Sequence, residues 1–231
     1  DAPTLTLTGD ANVVEGGKAS YTLTISDAPK TDLTIKVVVG HITTDNGDVQ
    51  AVTRDVVIKA NTTSVSFDVA TLDDVYAEPA EQFQVSVSET SGGGYEKAPA
   101  LPGAVTTTIT DEDGSDPKLP TDAPTLTLTG DANVVEGGKA SYTLTISDAP
   151  KTDLTIKVVV GHITTDNGDV QAVTRDVVIK ANTTSVSFDV ATLDDVYAEP
   201  AEQFQVSVSE TSGGGYEKAP ALPGAVTTTI T

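Results

Sequence analysis

No cysteine occurs among the 231 residues, which excludes disulfides, thiolate metal sites and a cysteine nucleophile. Tryptophan is also missing, and the aromatics amount to six Tyr and four Phe, so the cores must be small and built on aliphatic and β-branched side chains. Positive charge is scarce. Thirteen Lys and Arg stand against thirty-four Asp and Glu, a formal charge of −21, and a nucleic-acid backbone or an anionic lipid surface would repel such a chain. No eighteen-residue apolar run occurs, and the opening DAPT carries no basic, apolar-cored leader, so neither membrane insertion nor a signal peptide is expected within these residues. With no disulfide to staple a thin core, a bound metal ion is the expected substitute.

What is present is a repeat. Residues 1–110 recur letter for letter at 122–231, leaving DEDGSDPKLPT at 111–121 as the unique segment. The expected organisation is a first repeat over 1–113 ending in an acidic tip, a linker over 114–121, and a second repeat over 122–231. Within one copy the hydrophobic period is two. PTLTLT, KASYTLTI, LTIKVVV, AVTRDVVI, TSVSFDVA, QFQVSVS and GAVTTTIT alternate or run apolar and β-branched, separated by Gly, Pro, Asn and Asp clusters. These runs predict an all-β chain of two tandem immunoglobulin-like Greek-key β-sandwiches with about seven strands each, monomeric, with neighbouring repeats of the same polypeptide as partners. Pro79 excludes a helix through VYAEPAE.

In such a sandwich the loops after the first, third and fifth strands emerge at the end where the seventh strand finishes. Those segments carry Glu15, then Asp45 and Asp48, then Asp73, Asp74, Glu78 and Glu81, and finally Asp111, Glu112 and Asp113. Two carboxylates about 4 Å apart repel by roughly 1 to 4 kcal/mol, and several such pairs would exceed the stability of a small domain. No Lys or Arg lies within TLDDVYAEPAEQF to offset them. A hard divalent cation with six to eight oxygen ligands turns this repulsion into binding, and all-oxygen loops without thiolate select Ca²⁺ over zinc, copper or Mg²⁺. DEDGSD is not an EF-hand loop, because it lacks Gly at position six and the closing Glu.

NVVEGGKASYTLTIS, TLDDVYAEPAEQFQVSVSE and TTTITDED together resemble the Calx-β domain family, through Val-x-Glu-Gly, Asp-Asp-x-x-x-Glu-x-x-Glu-x-Phe and a terminal acidic triplet. The resemblance implies side-chain calcium ligands at Glu15, Asp48, Asp73, Asp74, Glu78, Glu81, Asp111 and Asp113, with the main-chain carbonyl of Tyr76. In the second copy it implies Glu136, Asp169, Asp194, Asp195, Tyr197, Glu199 and Glu202. Val49 and Pro79 stand where that family usually has Tyr and Gly. Identical tandem acidic copies without cysteine also resemble the extender repeats of giant RTX adhesins exported by type I secretion. That resemblance implies a calcium-stabilised stalk at the bacterial cell surface, secreted unfolded and stiffened outside, with calcium gripping Asp111 and Asp113 at the joint between repeats. Because the second copy reaches Thr231 before any acidic triplet, it is expected to bind fewer ions.

Three other functions compete. Catalysis by Asp73 with Asp74, or by Glu78 with Glu81, would need a substrate cleft that short loops do not provide. His41 and His162 are one repeat position at the end of an apolar strand, read as edge residues rather than bases. A glycan-binding role would use Tyr95 in SGGGYEKAPALPG, and a calcium sensor would resemble the regulatory pair of an ion exchanger. Asn61-Thr62-Thr63 fits a glycosylation sequon and is read as a turn.

Overall fold

A computed structural model describes all 231 residues, and they form strands and loops only. The first copy contains β1 (Leu5–Gly9), β2 (Asn12–Val14), β3 (Lys18–Ile25), β4 (Leu33–His41), β5 (Val52–Ile58), β6 (Ser64–Ala70), β7 (Glu81–Gly92) and β8 (Val105–Thr110). The second contains β9 (Leu126–Gly130), β10 (Asn133–Val134), β11 (Lys139–Ile146), β12 (Leu154–His162), β13 (Val173–Ile179), β14 (Ser185–Ala191), β15 (Glu202–Gly213) and β16 (Val226–Ile230). Each copy pairs a three-stranded sheet, β1-β3-β6 or β9-β11-β14, with a five-stranded one, β2-β8-β7-β4-β5 or β10-β16-β15-β12-β13. Two compact units result: Asp1–Asp74 with Glu78–Thr121, and Val75–Ala77 with Asp122–Thr231.

The period-two runs determine which faces meet. In β3, Ala19, Tyr21, Leu23 and Ile25 point into the sandwich, and in β4 Leu33, Ile35, Val37 and Val39 do the same. They join Phe83, Val85 and Val87 of β7 and Ile109 of β8 in one core per unit. Tyr21 is the large polar member. Its hydroxyl meets Thr107 Oγ1, and because that threonine donates its own proton to Asp10 O at 2.7 Å, the tyrosine is the donor. The contact ties the two sheets together across the core. Gly9 is required where the ring passes, since a Cβ there would lie 2.1 Å from Tyr21 Cδ1.

The seven expected runs all form strands, and each copy adds an eighth, short one. Asn12–Val14 lines up parallel to β8, with only Val13 turned inward. Three residues carry no detectable alternation; this strand exists because the chain crosses from one sheet to the other beside an unpaired edge. A second feature set by the partner strand is the irregularity in the β4–β7 register between Lys36 and Val37.

Backbone hydrogen bonds gather one end of the first unit. Glu15 N donates to Thr110 O at 2.9 Å, Gly16 N to Leu72 O at 3.1 Å, Thr71 N to Gly17 O at 2.9 Å and Leu72 N to Asp48 O at 2.7 Å. The turn after β2, the β4–β5 loop, the segment after β6 and the end of β8 are thus fastened to one another before any side chain is considered.

Candidate metal centre

The acids on these fastened segments fall into two groups. Carboxylate oxygens of Asp48, Glu78 and Glu81 lie within 4.8 Å of one another, all three side chains half-buried. Asp48 closes a tight turn in which Asp45 N donates to Asp48 Oδ2 at 2.5 Å and Gly47 N donates to Asp45 Oδ1 at 2.5 Å. Glu81 opens β7, opposite Ile109. The other group holds Glu15, Asp111 and Glu112, with ligand oxygens again within 4.8 Å. Glu15 is 4% exposed and Glu112 6%. Glu78 N donates to Asp111 Oδ2 at 3.2 Å and so links the groups, while Asp111 Oδ1 is buried with no hydrogen bond. A buried carboxylate oxygen without a donor is costly unless a cation faces it.

Electrostatics follow from the crowding. Glu81 is pushed up to about 7, first by burial, then by a hydrogen bond shared with Asp48 and by the charges of Asp48, Glu78 and Asp45. In the second unit Asp169, Glu199 and Glu202 repeat the first group. Burial, followed by neighbouring carboxylates, raises Glu199 and Glu202 above the ordinary carboxylate range. They line a cavity of about 30 Å³ with Glu136, Asp169, Pro200, Ile230 and Thr231. That volume matches one small ion or one water. The donor set is oxygen only and anionic, which fits a hard cation such as Ca²⁺ and does not fit zinc or copper.

Of the remaining expected ligands, Glu136 lines the cavity of the second unit, and the others stand outside these groups. Asp73 lies against the turn after β2, where a Cβ on Gly16, whose φ is +69°, would sit 3.2 Å from its carboxyl carbon. Asp74 and Tyr76 belong to the same segment, and Tyr76 is in the tripeptide that groups with the second unit. Asp113 turns to its own backbone: its carboxylate accepts from Ser115 N at 2.8 Å, and hydrogen bonds from Ser115 hold it below the ordinary range. In the second unit Glu136 accepts from Asp195 N at 3.1 Å, Asp195 accepts from Tyr197 N at 2.6 Å, and Asp194 lies against Gly137. The Tyr197 side chain is 72% exposed.

Of the two tip acids left out of the expected ligand set, Asp45 and Glu112, it is Glu112 that joins a group. Alternation along β8 would put Asp111 and Asp113 on one side, but the strand ends at Thr110 and the next residues leave its pleat. No sequence signal reports where a strand stops to that precision. Tyr95, the candidate sugar platform, donates its hydroxyl to Asp27 O at 2.5 Å and packs its ring on the core. A ring committed in this way is not presented as a free stacking surface.

A family model for the LapA domain matches the chain twice, over residues 1–112 and 122–231. No curated protein matches. Among solved structures the chain is similar to the crystal structure of CBD12 from CALX1.2, at 15% identity over 98% of this chain and 99% of that one, with a TM-score of 0.42. It is similar to calcium binding domain CBD12 of CALX1.1 at 14% identity, over 98% of each chain, with a TM-score of 0.41. A further match is the apo-form Calx CBD1 domain, at 17% identity over 48% of this chain and 99% of that one, with a TM-score of 0.41.

Proposed function

Because the chain belongs to the LapA domain family of large bacterial adhesins, we propose that it is an extender segment of such an adhesin, held at the cell surface, in which calcium stabilises each repeat and stiffens the joint between them. The observation that carries this reading is the meeting of Asp48, Glu78 and Glu81 from three separate segments within 4.8 Å, with Glu81 raised to about 7 by that crowding. Folding has brought like charges together at an electrostatic cost that a bound cation recovers at a pH where the carboxylates are ionised.

In this reading Asp48, Glu78 and Glu81 hold one ion, and Glu15, Asp111 and Glu112 hold or help to hold another. Asp169, Glu199, Glu202 and Glu136 serve the second unit. Asp73, Asp74, Asp113, Asp194, Asp195 and the carbonyls of Tyr76 and Tyr197 are the further donors the Calx-β resemblance implies. A bound ion supplies charge neutralisation and loop cross-linking; the protein's own residues supply the fastened backbone that fixes the oxygens. Extracellular modules bind calcium at about 10⁻⁴ to 10⁻³ M, and a hundredfold excess over Kd adds about 2.7 kcal/mol per site. The scarcity of calcium in the cytoplasm keeps the repeats loose for export, and residues 114–121 act as the linker.

Small-angle scattering of the two-repeat chain, with 5 mM calcium (roughly five times the weaker of those Kd values) or with chelator, tests the stalk role. The expected result is a longer and narrower distance distribution with calcium. Identical profiles would remove the stiffening claim.

A further inference from the structure

We infer that His41, and His162 in the second unit, are positioning residues for the loop that carries Asp48 and Asp169, working through a fixed Nε2–H hydrogen bond to Asn46 and Asn167. The inference rests on the metal-centre reading above and adds to it a residue that contacts no proposed ligand.

His41 is the last residue of β4, at the base of the β4–β5 loop, and its ring bonds on both sides. Nδ1 lies 3.0 Å from Thr44 Oγ1 and Nε2 lies 3.1 Å from Asn46 Oδ1. The second contact has only one polarity. Asn46 Oδ1 also accepts from Ala51 N at 3.2 Å, and a backbone N–H can only donate, so the amide must present its oxygen. Nε2 therefore carries a proton whatever the charge of the ring.

The first contact has two polarities. Thr44 Oγ1 lies 3.1 Å from Gln82 O, which also receives the N–H groups of Ile42, Thr43 and Thr44 at 3.0 to 3.3 Å. With neutral imidazole the threonine hydroxyl donates to Nδ1, leaving Gln82 O to the three amides. With imidazolium Nδ1–H donates to the threonine, whose proton turns to Gln82 O. Both contacts of the ring survive in either state, so the strut does not depend on protonation.

The strut spans the loop that shapes the metal centre. Asn46 is held on three sides: its Oδ1 by His41 and by Ala51 N, and its carbonyl by Gln50 Nε2 at 2.8 Å. The flanking residues Asp45 and Gly47 are part of the turn that presents Asp48. At the other end Gln82, which anchors Thr43 and Thr44, follows Glu81 directly in β7. One imidazole thus joins the start of the loop to its centre, and through Thr44 and Gln82 to the strand that begins with Glu81. The second unit repeats the arrangement: Nδ1 to Thr165 at 3.0 Å, Nε2 to Asn167 at 3.1 Å, and Asn167 Oδ1 to Ala172 N at 3.3 Å.

The test combines calcium titration of the full chain with nitrogen NMR of its two imidazoles. The unmodified chain at pH 8 should show both rings in a single Nε2–H tautomer. An Nδ1–H form, or averaging between tautomers, overturns the inference without any substitution. His41→Ala with His162→Ala, and separately Asn46→Ala with Asn167→Ala, should each weaken calcium binding about tenfold, in line with the loss seen when supports of metal ligands are removed. Combining all four should weaken it by less than the product of the two separate losses, since both pairs break the same Nε2–H contact to Oδ1, and strictly multiplicative losses would overturn the inference. Undiminished affinity in the variants, with normal uptake by the parent, overturns this inference and leaves the metal reading standing. No uptake by the parent overturns both.

Discussion

Replacing Glu81 by Gln should move stability in opposite directions with and without calcium. Its carboxylate shares a 4.8 Å cluster with Asp48 and Glu78. At that separation a pair of unit charges repels by about 0.9 kcal/mol in a water-like dielectric and by about 3.5 kcal/mol at an effective constant of 20. The half-buried position of all three favours the lower figure, and the substitution removes two of three pairs, so the calcium-free first unit should gain about 2 kcal/mol at pH 8. For a unit of this size that is a rise of roughly 8 °C in its melting temperature. With millimolar calcium the sign should reverse, because the variant has lost an anionic ligand. Scanning calorimetry of the full chain in chelator and in calcium reads both. A fall in both conditions would mean that Glu81 makes ordinary stabilising contacts and that the repulsion argument is false; no change in either would mean that the charges are simply solvated.

Other consequences follow from the same geometry. Without calcium, Glu81 titrates near 7 when folded and near 4.5 when unfolded, so its protonation stabilises the fold fully below 4.5, and that contribution disappears as the pH rises through 7. Urea unfolding in chelator should therefore be easier at pH 8 than at pH 5, with the difference suppressed by calcium; equal midpoints in chelator would contradict the raised value. Tyr21→Phe should cost the first unit about 1 to 2 kcal/mol, since it removes the buried donor to Thr107 while sparing the ring, and circular-dichroism melting would register it. Gly9→Ala should cost about 1 to 3 kcal/mol, because its Cβ would overlap the Tyr21 ring; a neutral result would mean that the ring moves freely.

The strands were legible because the code for a half-buried strand is local. KASYTLTI states its buried face by alternation alone, and Ala19, Tyr21, Leu23 and Ile25 occupy it. The parallel strand Asn12–Val14 and the β4–β7 irregularity were not legible, since both are imposed by a partner distant in sequence. The gathering of acidic segments at one end followed from strand order. Their division into two groups did not, because it depends on where β8 ends and how Glu112 and Asp113 then turn. His41 read as an edge residue because its role appears only when Asn46, Ala51 and Thr44 fold back around its ring.

Isothermal titration of calcium into the chelator-stripped chain at pH 8 addresses the main claim most directly. Saturable heat with a dissociation constant of about 10⁻⁴ to 10⁻³ M, reduced by Glu81→Gln, is the predicted outcome. A trace indistinguishable from dilution would show that these carboxylates meet for some reason other than metal.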